Sequence, residues 1–330
     1  MRKSLKVLAA AAVVALSAAA CGGGGGGGAP AAPAGGGQKQ LTMGFSQVGA
    51  ESGWRTANTQ SVQKSAADAG IELKFSDAQQ KQENQIKAIR SFIQQKVDII
   101  AFSPVVETGW DAVLQEAKRA KIPVILTDRA VDSADKSLYA TFLGSDFIEE
   151  GRKAGDWVVQ KYASATGPVN IVELQGTTGS APAIDRKQGF AEKIGANPNL
   201  KIVASQTGDF TRSGGKQVME AFLKSQPKID VLFAHNDDMG LGAIEAIEAA
   251  GKVPGKDITI VTIDAVHDGM QALADGKINY IVECNPLLGP QLMDLAKKVA
   301  AGQQIPNRVV TNETVFDQAG AKAALPSRQY

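Results

Sequence analysis

The sequence predicts an α/β protein with two domains, each a parallel sheet covered by helices on both faces. Short, nearly continuous apolar runs alternate with amphipathic stretches, a pattern typical of parallel strands that are buried on both faces. The first four runs are spaced about 25–30 residues apart, the length of one βα unit. A similar series restarts at residue 169. The roughly 290 residues from position 41 onward exceed what one hydrophobic core commonly serves, so two domains are expected.

The first 40 residues differ from the rest and predict an export signal followed by a tether. Basic residues precede an apolar run at 7–20, which is too short to span a membrane comfortably. Cys21 and seven glycines follow, so residues 1–20 are interpreted as a signal peptide and residues 21–40 as a flexible tether. A cysteine at this point favours a lipid anchor on Cys21. A small-residue pattern at 18–20 leaves ordinary cleavage open; both alternatives predict an exported protein.

Nine candidate strands follow, and Gly or Pro marks most of the joints between them. They are 41–45, 71–75, 97–102, 123–127, 169–174, 201–205, 231–234, 258–263 and 278–282. Between them lie helical patterns, such as 82–95, where apolar residues recur on one face. A long helical stretch at 146–165 separates the first series of strands from the second.

Composition excludes several classes of partner. The chain holds 35 Lys and Arg against 34 Asp and Glu, and the first 20 residues contain three of the basic ones, so the remainder carries a formal charge of −2. This balance gives no electrostatic reason to expect a nucleic acid or an anionic membrane as partner. Only one cysteine, Cys284, lies beyond the tether, so no intrachain disulfide is expected there. We interpret it as a small buried hydrophobe.

Polar residues that follow the strands of the first half are the first candidates for a site, because ligands bind outside the carboxyl ends of such strands. These candidates are Glu51, Trp54, Arg55, Ser103, Asp128 and Arg129. Trp54 suits stacking on a sugar ring, and a Trp that caps the core beside a surface ion pair is the equal alternative. Asp128 followed by Arg129 suits a polyol, since carboxylate and guanidinium bond hydroxyls. A local salt bridge is the alternative.

The second half repeats this arrangement. Its candidates are Glu173, Arg186, Phe210, Asn236 and Asp264. Asn and Asp are also the residues that most often cap helices. Asp238 is interpreted as such a cap, whereas Asn236 and Asp264 lie directly at strand ends and are interpreted as ligand-binding.

Searches for catalytic and metal motifs find nothing that holds together. The sequence contains no G-x-S-x-G elbow and no Walker A string, and the glycines at 240 and 242 lack the third glycine of a dinucleotide fingerprint. Its two histidines, His235 and His267, have no neighbouring Cys or His at metal-site spacing. The sequence therefore predicts a binding protein without cofactor or metal rather than an enzyme.

Several strings carry a resemblance to a known family. They are GFSQVGAESGWR at 44–55, QQKQENQ at 79–85, VELQG at 172–176, GDFTRS at 208–213 and AHNDDM at 234–239. Over residues 41 to 317 the chain resembles the periplasmic sugar-binding proteins of ABC importers, of the ribose/galactose-binding type. Within that family the strings are most similar to galactofuranose-binding members.

The resemblance implies two Rossmann-like lobes joined by a three-strand hinge, with the sugar trapped between them by hinge closure. The lobes would comprise 41–143 plus 284–308, and 144–283 plus 309–330. The strand-end residues above match the family's ligand-binding positions, and the resemblance adds Glu283 at the last crossover. Glu173 is matched less securely, since it could serve contacts between the lobes instead. Cys284 would lie in the pocket wall beside Glu283.

The implied function is that of an extracytoplasmic solute-binding protein, which captures a monosaccharide and delivers it to a membrane permease. Galactofuranose is the expected cargo, with arabinose or ribose as alternatives, and the protein is expected to be monomeric. A sensor that presents sugar to a chemoreceptor or histidine kinase remains open. An exported sugar-cleaving enzyme would need a carboxylate pair about 5–9 Å apart across the cleft.

Overall fold

The computed structural model describes residues 40–330. The predicted signal peptide (1–20), Cys21 and all but the last residue of the predicted tether lie outside the described residues. Within 40–330 the chain forms twelve strands and ten α-helices, arranged as two six-stranded sheets. No helix in this range combines the length and apolar character that a membrane span requires.

The elements alternate as the sequence predicts. The strands are β1 (Thr42–Gln47), β2 (Glu72–Asp77), β3 (Ile99–Phe102), β4 (Val124–Thr127), β5 (Thr141–Gly144), β6 (Val169–Gln175), β7 (Leu200–Thr207), β8 (Val231–Ala234), β9 (Thr259–Asp264), β10 (Tyr280–Glu283), β11 (Arg308–Val310) and β12 (Val315–Phe316). The helices are α1 (Gly53–Asp68), α2 (Gln82–Gln94), α3 (Asp111–Arg119), α4 (Phe147–Lys161), α5 (Ala181–Ile194), α6 (Arg212–Ser225), α7 (Asp237–Ala249), α8 (His267–Ala274), α9 (Gly289–Ala300) and α10 (Gln318–Ala324).

Both sheets share one strand order. The first runs β11-β5-β4-β3-β1-β2 and is parallel throughout, and the second runs β12-β10-β9-β8-β6-β7 with only β12 antiparallel. The central strands β3, β4, β8 and β9 are buried along their whole length, which explains their unbroken apolar sequences. The predicted fold class is confirmed, and all nine predicted strands form within two residues of their predicted ends.

The chain crosses between the lobes three times. It leaves the first sheet after β5, returns after β10 to form α9, which packs on α1, and crosses again after β11 to reach β12. Strand β11 stays in the first sheet up to Val310, so the third crossover begins two residues later than the predicted boundary at 308. Each sheet is therefore completed by a strand from the far end of the chain.

One carboxylate ties the three crossovers together. Glu313 Oε1 accepts hydrogen bonds from Ser145 Oγ at 2.5 Å, from the backbone N–H of Asn285 at 2.9 Å and from Thr311 Oγ1 at 2.9 Å. Ser145 belongs to the first crossover, Asn285 to the second and Thr311 to the third. The hinge is thus built around a largely buried acceptor that all three segments share.

Candidate functional site

A cleft lies where the carboxyl ends of the two sheets face each other. Side chains from both lobes line it. Its lining comprises Glu51, Ser52, Trp54, Arg55, Asp128, Arg129, Phe147, Pro182, Arg186, Phe210, Asn236, Asp264 and Cys284. Most of the residues predicted from the strand ends are therefore brought together here.

In the first lobe, Arg55 organises the charged wall of the cleft. Its Nε lies 3.0 Å from Glu51 Oε1 and its Nη1 lies 2.7 Å from Asp128 Oδ2. All three side chains are at most 5% exposed, so Glu51 and Arg55 form a buried pair rather than a surface ion pair. The local ion pair between Asp128 and Arg129 also forms, with Arg129 Nε 3.8 Å from Asp128 Oδ2. Ser103 does not line the cleft; its Oγ donates to Asp128 Oδ2 at 2.7 Å and helps to orient that carboxylate. Removing either charge would leave its partner buried and unbalanced.

Arg129 is the second cation of this wall. Its Nη1 donates to the carbonyl of Val105 at 3.2 Å, and its Nη2 lies 3.7 Å from Glu51 Oε1. Burial, together with the neighbouring Arg55, lowers the pKa of Arg129 to about 10. Arg129 Nε and Glu51 Oε2 are buried and have no hydrogen-bond partner within the described part of the chain. Buried polar atoms are normally paired, so this wall keeps hydrogen-bonding capacity for a polar ligand.

In the second lobe, Arg186 holds the corresponding position. Its Nε lies 2.7 Å from Glu150 Oε2, its Nη1 donates to the carbonyl of His235 at 2.6 Å, and its Nη2 lies 3.8 Å from Asp264 Oδ1. Burial raises the pKa of Glu150 to about 8 against the opposing effect of Arg186. Burial also raises the pKa of Asp264 well above its usual range. Both lobes thus present a buried arginine fixed by carboxylates.

Two aromatic rings face the cleft from opposite lobes. Trp54 is 5% exposed, and its indole Nε1 donates to the carbonyl of Cys284 at 2.7 Å. It also packs in the apolar cluster of the second lobe, so it caps the core, and its stacking on a sugar stays a prediction. The guanidinium carbon of Arg129 lies over the ring of Phe210, 5.3 Å from the ring centre. A Cβ on Gly176 would overlap the Phe210 ring, so only glycine lets the ring occupy this position.

Three cleft residues have left-handed backbone conformations. These are Asp128 (φ 64°), Phe210 (φ 60°) and Asp264 (φ 130°). Such conformations are sparsely populated by residues other than glycine and cost on the order of 1–3 kcal/mol each. Strain of this kind concentrates at functional sites, where it aims side chains that regular strands would point elsewhere.

Besides Ser103, two more predicted ligand residues lie away from the cleft. Glu173 on β6 accepts a hydrogen bond from Ser205 Oγ and lies 3.1 Å from His235 Nε2, so it forms a buried polar cluster within the second lobe. Glu283 lies 2.9 Å from Arg328 Nη1 and accepts from the hydroxyl of Tyr330 at 2.9 Å, so it fastens the C-terminus. Neither lines the cleft, and the expectation that they do is corrected.

The interpretation of the α7 N-terminus also changes. Asn236 both lines the cleft and caps α7, since its Oδ1 accepts from the backbone N–H of Met239 at 3.0 Å. Asp238 does not cap its own helix. Its Oδ2 instead accepts from the backbone N–H of Gly53 in the first lobe at 2.8 Å.

Sequence reasoning missed several members of the site. Ser52, Phe147 and Pro182 line the cleft, and Glu150 on α4 fixes Arg186. The one signal for Ser52 is its place just before a helix, where its Oγ accepts from the backbone N–H of Arg55 at 3.1 Å. Cys284 lines the cleft and is 1% exposed, as its interpretation as a buried hydrophobe predicts.

Glu150, Cys284 and Glu313 place three atoms of the metal-ligand type within 4.8 Å of one another. The guanidinium of Arg186 already lies against Glu150 and supplies the positive charge that a metal ion would bring. Glu313 Oε1 already accepts three hydrogen bonds. We therefore interpret this cluster as part of the hinge.

Comparison with known proteins identifies a family and several similar proteins. A family profile described as "Periplasmic binding protein domain" matches residues 43–304. The chain is 50% identical over 293 residues to the galactofuranose-binding protein of Escherichia coli K12, covering 88% of this chain and 92% of that protein. A protein from Mycobacterium smegmatis, solved in complex with β-D-fucofuranose, is 77% identical with a TM-score of 0.87, covering 88% of this chain and 95% of that one. The binding protein of the arabinose ABC transporter from Shewanella sp. ANA-3, bound to α- and β-L-arabinofuranose, is 52% identical with a TM-score of 0.84, covering 88% and 96%.

Proposed function

This chain belongs to the periplasmic binding protein family, and from that premise we propose that it is the solute-binding protein of an ABC sugar importer. It captures one monosaccharide in the cleft and delivers it to a membrane permease. The observation that carries the proposal is the cleft itself, where two buried, carboxylate-bound arginine clusters and two aromatic rings converge from both lobes.

The cargo we propose is a sugar in its furanose form, with galactofuranose first. Of the three relatives reported above, one is a galactofuranose-binding protein, one was solved with fucofuranose and one was solved with arabinofuranose. Fucose is galactose without its 6-hydroxyl, so the first two cargoes share their ring and most of their hydroxyls. Arabinofuranose remains the alternative cargo.

The mechanism follows from the division of the site between the lobes. Asp128 and Arg129 belong to the first lobe, and Arg186, Asn236 and Asp264 to the second, so only a closed cleft pairs both sets with one sugar. A sugar that lacks one hydroxyl leaves a buried protein group unpaired, which is how such a site discriminates between sugars.

We also propose that the protein works outside the cytoplasm, held at the membrane by a lipid on Cys21, and that it acts as a monomer. Export is what the family and the predicted signal support. Mass spectrometry of the protein from membranes tests the lipid, since an acylated Cys21 adds the mass of the lipid to the N-terminal peptide. An N-terminus at Cys21 without added mass would contradict the anchor.

Two rival functions are less well supported. A sensor would use the same cleft, but the relatives described above include a component of a transporter, and import-dependent growth on the sugar separates the two roles. An exported enzyme is disfavoured because the family consists of binding proteins. In addition, the carboxylates Glu51 and Asp128 are engaged by Arg55 rather than held as a free acid and base.

The experiment is isothermal titration of the protein with galactofuranose, D-fucose, L-arabinose, ribose and fructose. We expect one-to-one binding, tightest for sugars that present the galactofuranose ring. Failure of every sugar on this panel to bind would contradict the proposal.

Asp128→Ala tests the site directly. The change leaves Arg55 buried without one of its two carboxylates and removes an acceptor from the cleft, so binding should weaken by about 2 kcal/mol, roughly 30-fold, or more. Asp68→Ala is the control, because that carboxylate is exposed on α1 and pairs with Lys64 at the surface. An Asp128→Ala variant with the affinity of the parent would show that the site is assigned wrongly.

A further inference from the structure

A carboxylate of the second lobe reaches the start of a helix in the first. Asp238 lies in the first turn of α7, and its Oδ2 accepts from the backbone N–H of Gly53, the first residue of α1, at 2.8 Å. The two residues are 185 positions apart in sequence. Asp238 as a whole is only 8% exposed, whereas Gly53 is exposed, so the hydrogen bond between them is partly buried.

The N-terminus of α1 is a favourable place for such a group. The first N–H groups of a helix lack partners within the helix, and the helix dipole favours negative charge there. Ser52 satisfies the N–H of Arg55, and Asp238 satisfies that of Gly53. The α7 helix has its own cap in Asn236, so Asp238 is not needed for that task.

Within its own lobe, Asp238 is held by Arg212. The Nε of Arg212 lies 3.5 Å from Asp238 Oδ1, and its Nη2 lies 3.0 Å from Asp268 Oδ2. Asp268 shares the same arginine but is exposed on α8, and its partners Arg212 and His267 both lie in the second lobe. The pair of aspartates therefore offers a natural comparison between one that spans the lobes and one that does not.

The hydrogen bond between Gly53 and Asp238 is connected to the cleft through α1. The helix turn that begins at Gly53 carries Trp54 and Arg55, both of which line the cleft. A second hydrogen bond also joins the lobes: the N–H of Glu107 donates to the carbonyl of Gly179 at 2.9 Å. This bond stabilises the closed arrangement as well. Closure thus completes the helix turn that presents the aromatic ring and the arginine.

We propose that Asp238 is a positioning residue for sugar capture: it supplies the missing acceptor at the N-terminus of α1 when the lobes close, and so holds Trp54 and Arg55 over the bound sugar. The proposal rests on the function proposed above, since it takes closure around a sugar as the binding step. Asp238 itself does not line the cleft.

The test compares Asp238→Ala with Asp268→Ala in the full chain. Galactofuranose dissociation is followed by stopped-flow tryptophan fluorescence, and thermal unfolding is recorded for the sugar-free proteins. We expect dissociation about tenfold faster in Asp238→Ala, because the closed form then loses the hydrogen bond from Gly53 to Asp238 that joins the lobes, and within twofold of the parent in Asp268→Ala. Asp238→Asn keeps an acceptor oxygen without the charge and should fall between the parent and Asp238→Ala.

The sugar-free unfolding midpoint distinguishes positioning from a structural role. Because the contact forms on closure, the midpoint of sugar-free Asp238→Ala should match that of the parent. A lowered midpoint, or a dissociation rate equal to that of the parent, would overturn the proposal while leaving the proposed function intact. A parent protein that binds none of the sugars would overturn the proposed function and this proposal together.

Discussion

Arg55 fixes the positions of the charged groups in the first lobe's half of the cleft. It is buried between Glu51 and Asp128, and its guanidinium carbon lies 4.7 Å from the ring centre of Trp54. Burying a cation is expensive unless it is paired, so the two carboxylates are fixed as firmly as the arginine. Such a site is largely preorganised before a ligand enters.

Gly176 leads to a prediction at the same scale. A methyl group at this position would overlap the Phe210 ring, so Gly176→Ala should displace the ring and weaken sugar binding by at least tenfold, about 1.4 kcal/mol. Titration calorimetry measures the effect.

The control for this prediction is Gly167→Ala, because a Cβ there would meet nothing within 4 Å. It should leave the affinity within a factor of two of the parent. If Gly176→Ala bound sugar as tightly as Gly167→Ala, Phe210 would not be part of the binding surface.

At the residue scale, sequence reasoning predicts which residues lie at the strand ends. It does not predict which face of the sheet each side chain points to. Asp128, Asn236 and Asp264 follow strands, and the carboxyl ends of those strands meet at the cleft, so their location was predictable. Glu173 also lies near a strand end, but side chains alternate between the two faces of a sheet, and its own face carries His235 rather than the cleft. Apolar wall residues such as Phe147 have no signature that separates them from core residues.

At the scale of elements, the hinge depends on Glu313. Replacing it by Ala removes the shared acceptor of Ser145, Asn285 and Thr311 and leaves these partly buried donors without it. We expect Glu313→Ala to lower the free energy of unfolding by about 2 kcal/mol or more, measured by urea denaturation.

Glu245→Ala is the matched control for the hinge. That glutamate is half exposed on α7 and pairs with Lys216 on the surface, so its removal should change the free energy of unfolding by no more than about 0.5 kcal/mol. Equal stabilities of the two variants would show that the shared acceptor does not hold the crossovers together.

The elements that sequence reasoning missed are those whose existence depends on distant partners. Strands β11 and β12 are only three and two residues long, too short for a periodic pattern to indicate them. Strand β5 has the sequence TFLG, in which only two residues are large and apolar. Strand β11 forms because it pairs with β5, about 165 residues earlier in the chain, and β12 because it pairs with β10. Long amphipathic helices such as α2 and α4 have a pattern of their own and were predictable.

At the scale of the whole molecule, the closed arrangement is a property that solution scattering can test. The hydrogen bonds from Gly53 to Asp238 and from Glu107 to Gly179 join the lobes directly and require closure. We expect galactofuranose to reduce the radius of gyration in small-angle X-ray scattering, because it pairs with groups from both lobes only in the closed form.

Asp128→Ala in the same sugar concentration is the control, and its radius should stay at the sugar-free value. A parent protein that bound sugar by calorimetry with no change in radius would contradict capture by closure. The sequence could predict two sheets and a cleft between them. It could not predict which arrangement of the lobes is stable, because that depends on contacts between residues nearly 200 positions apart.

The exchange of strands between the lobes has a consequence for biosynthesis. The first sheet lacks β11, and the helix α9 that covers α1, until residues 289–310 have emerged from the ribosome, and the second lacks β12 until shortly afterwards. Neither lobe can complete its core during most of translation. The order of the strands therefore makes the completion of both cores wait until nearly all of the chain has been made.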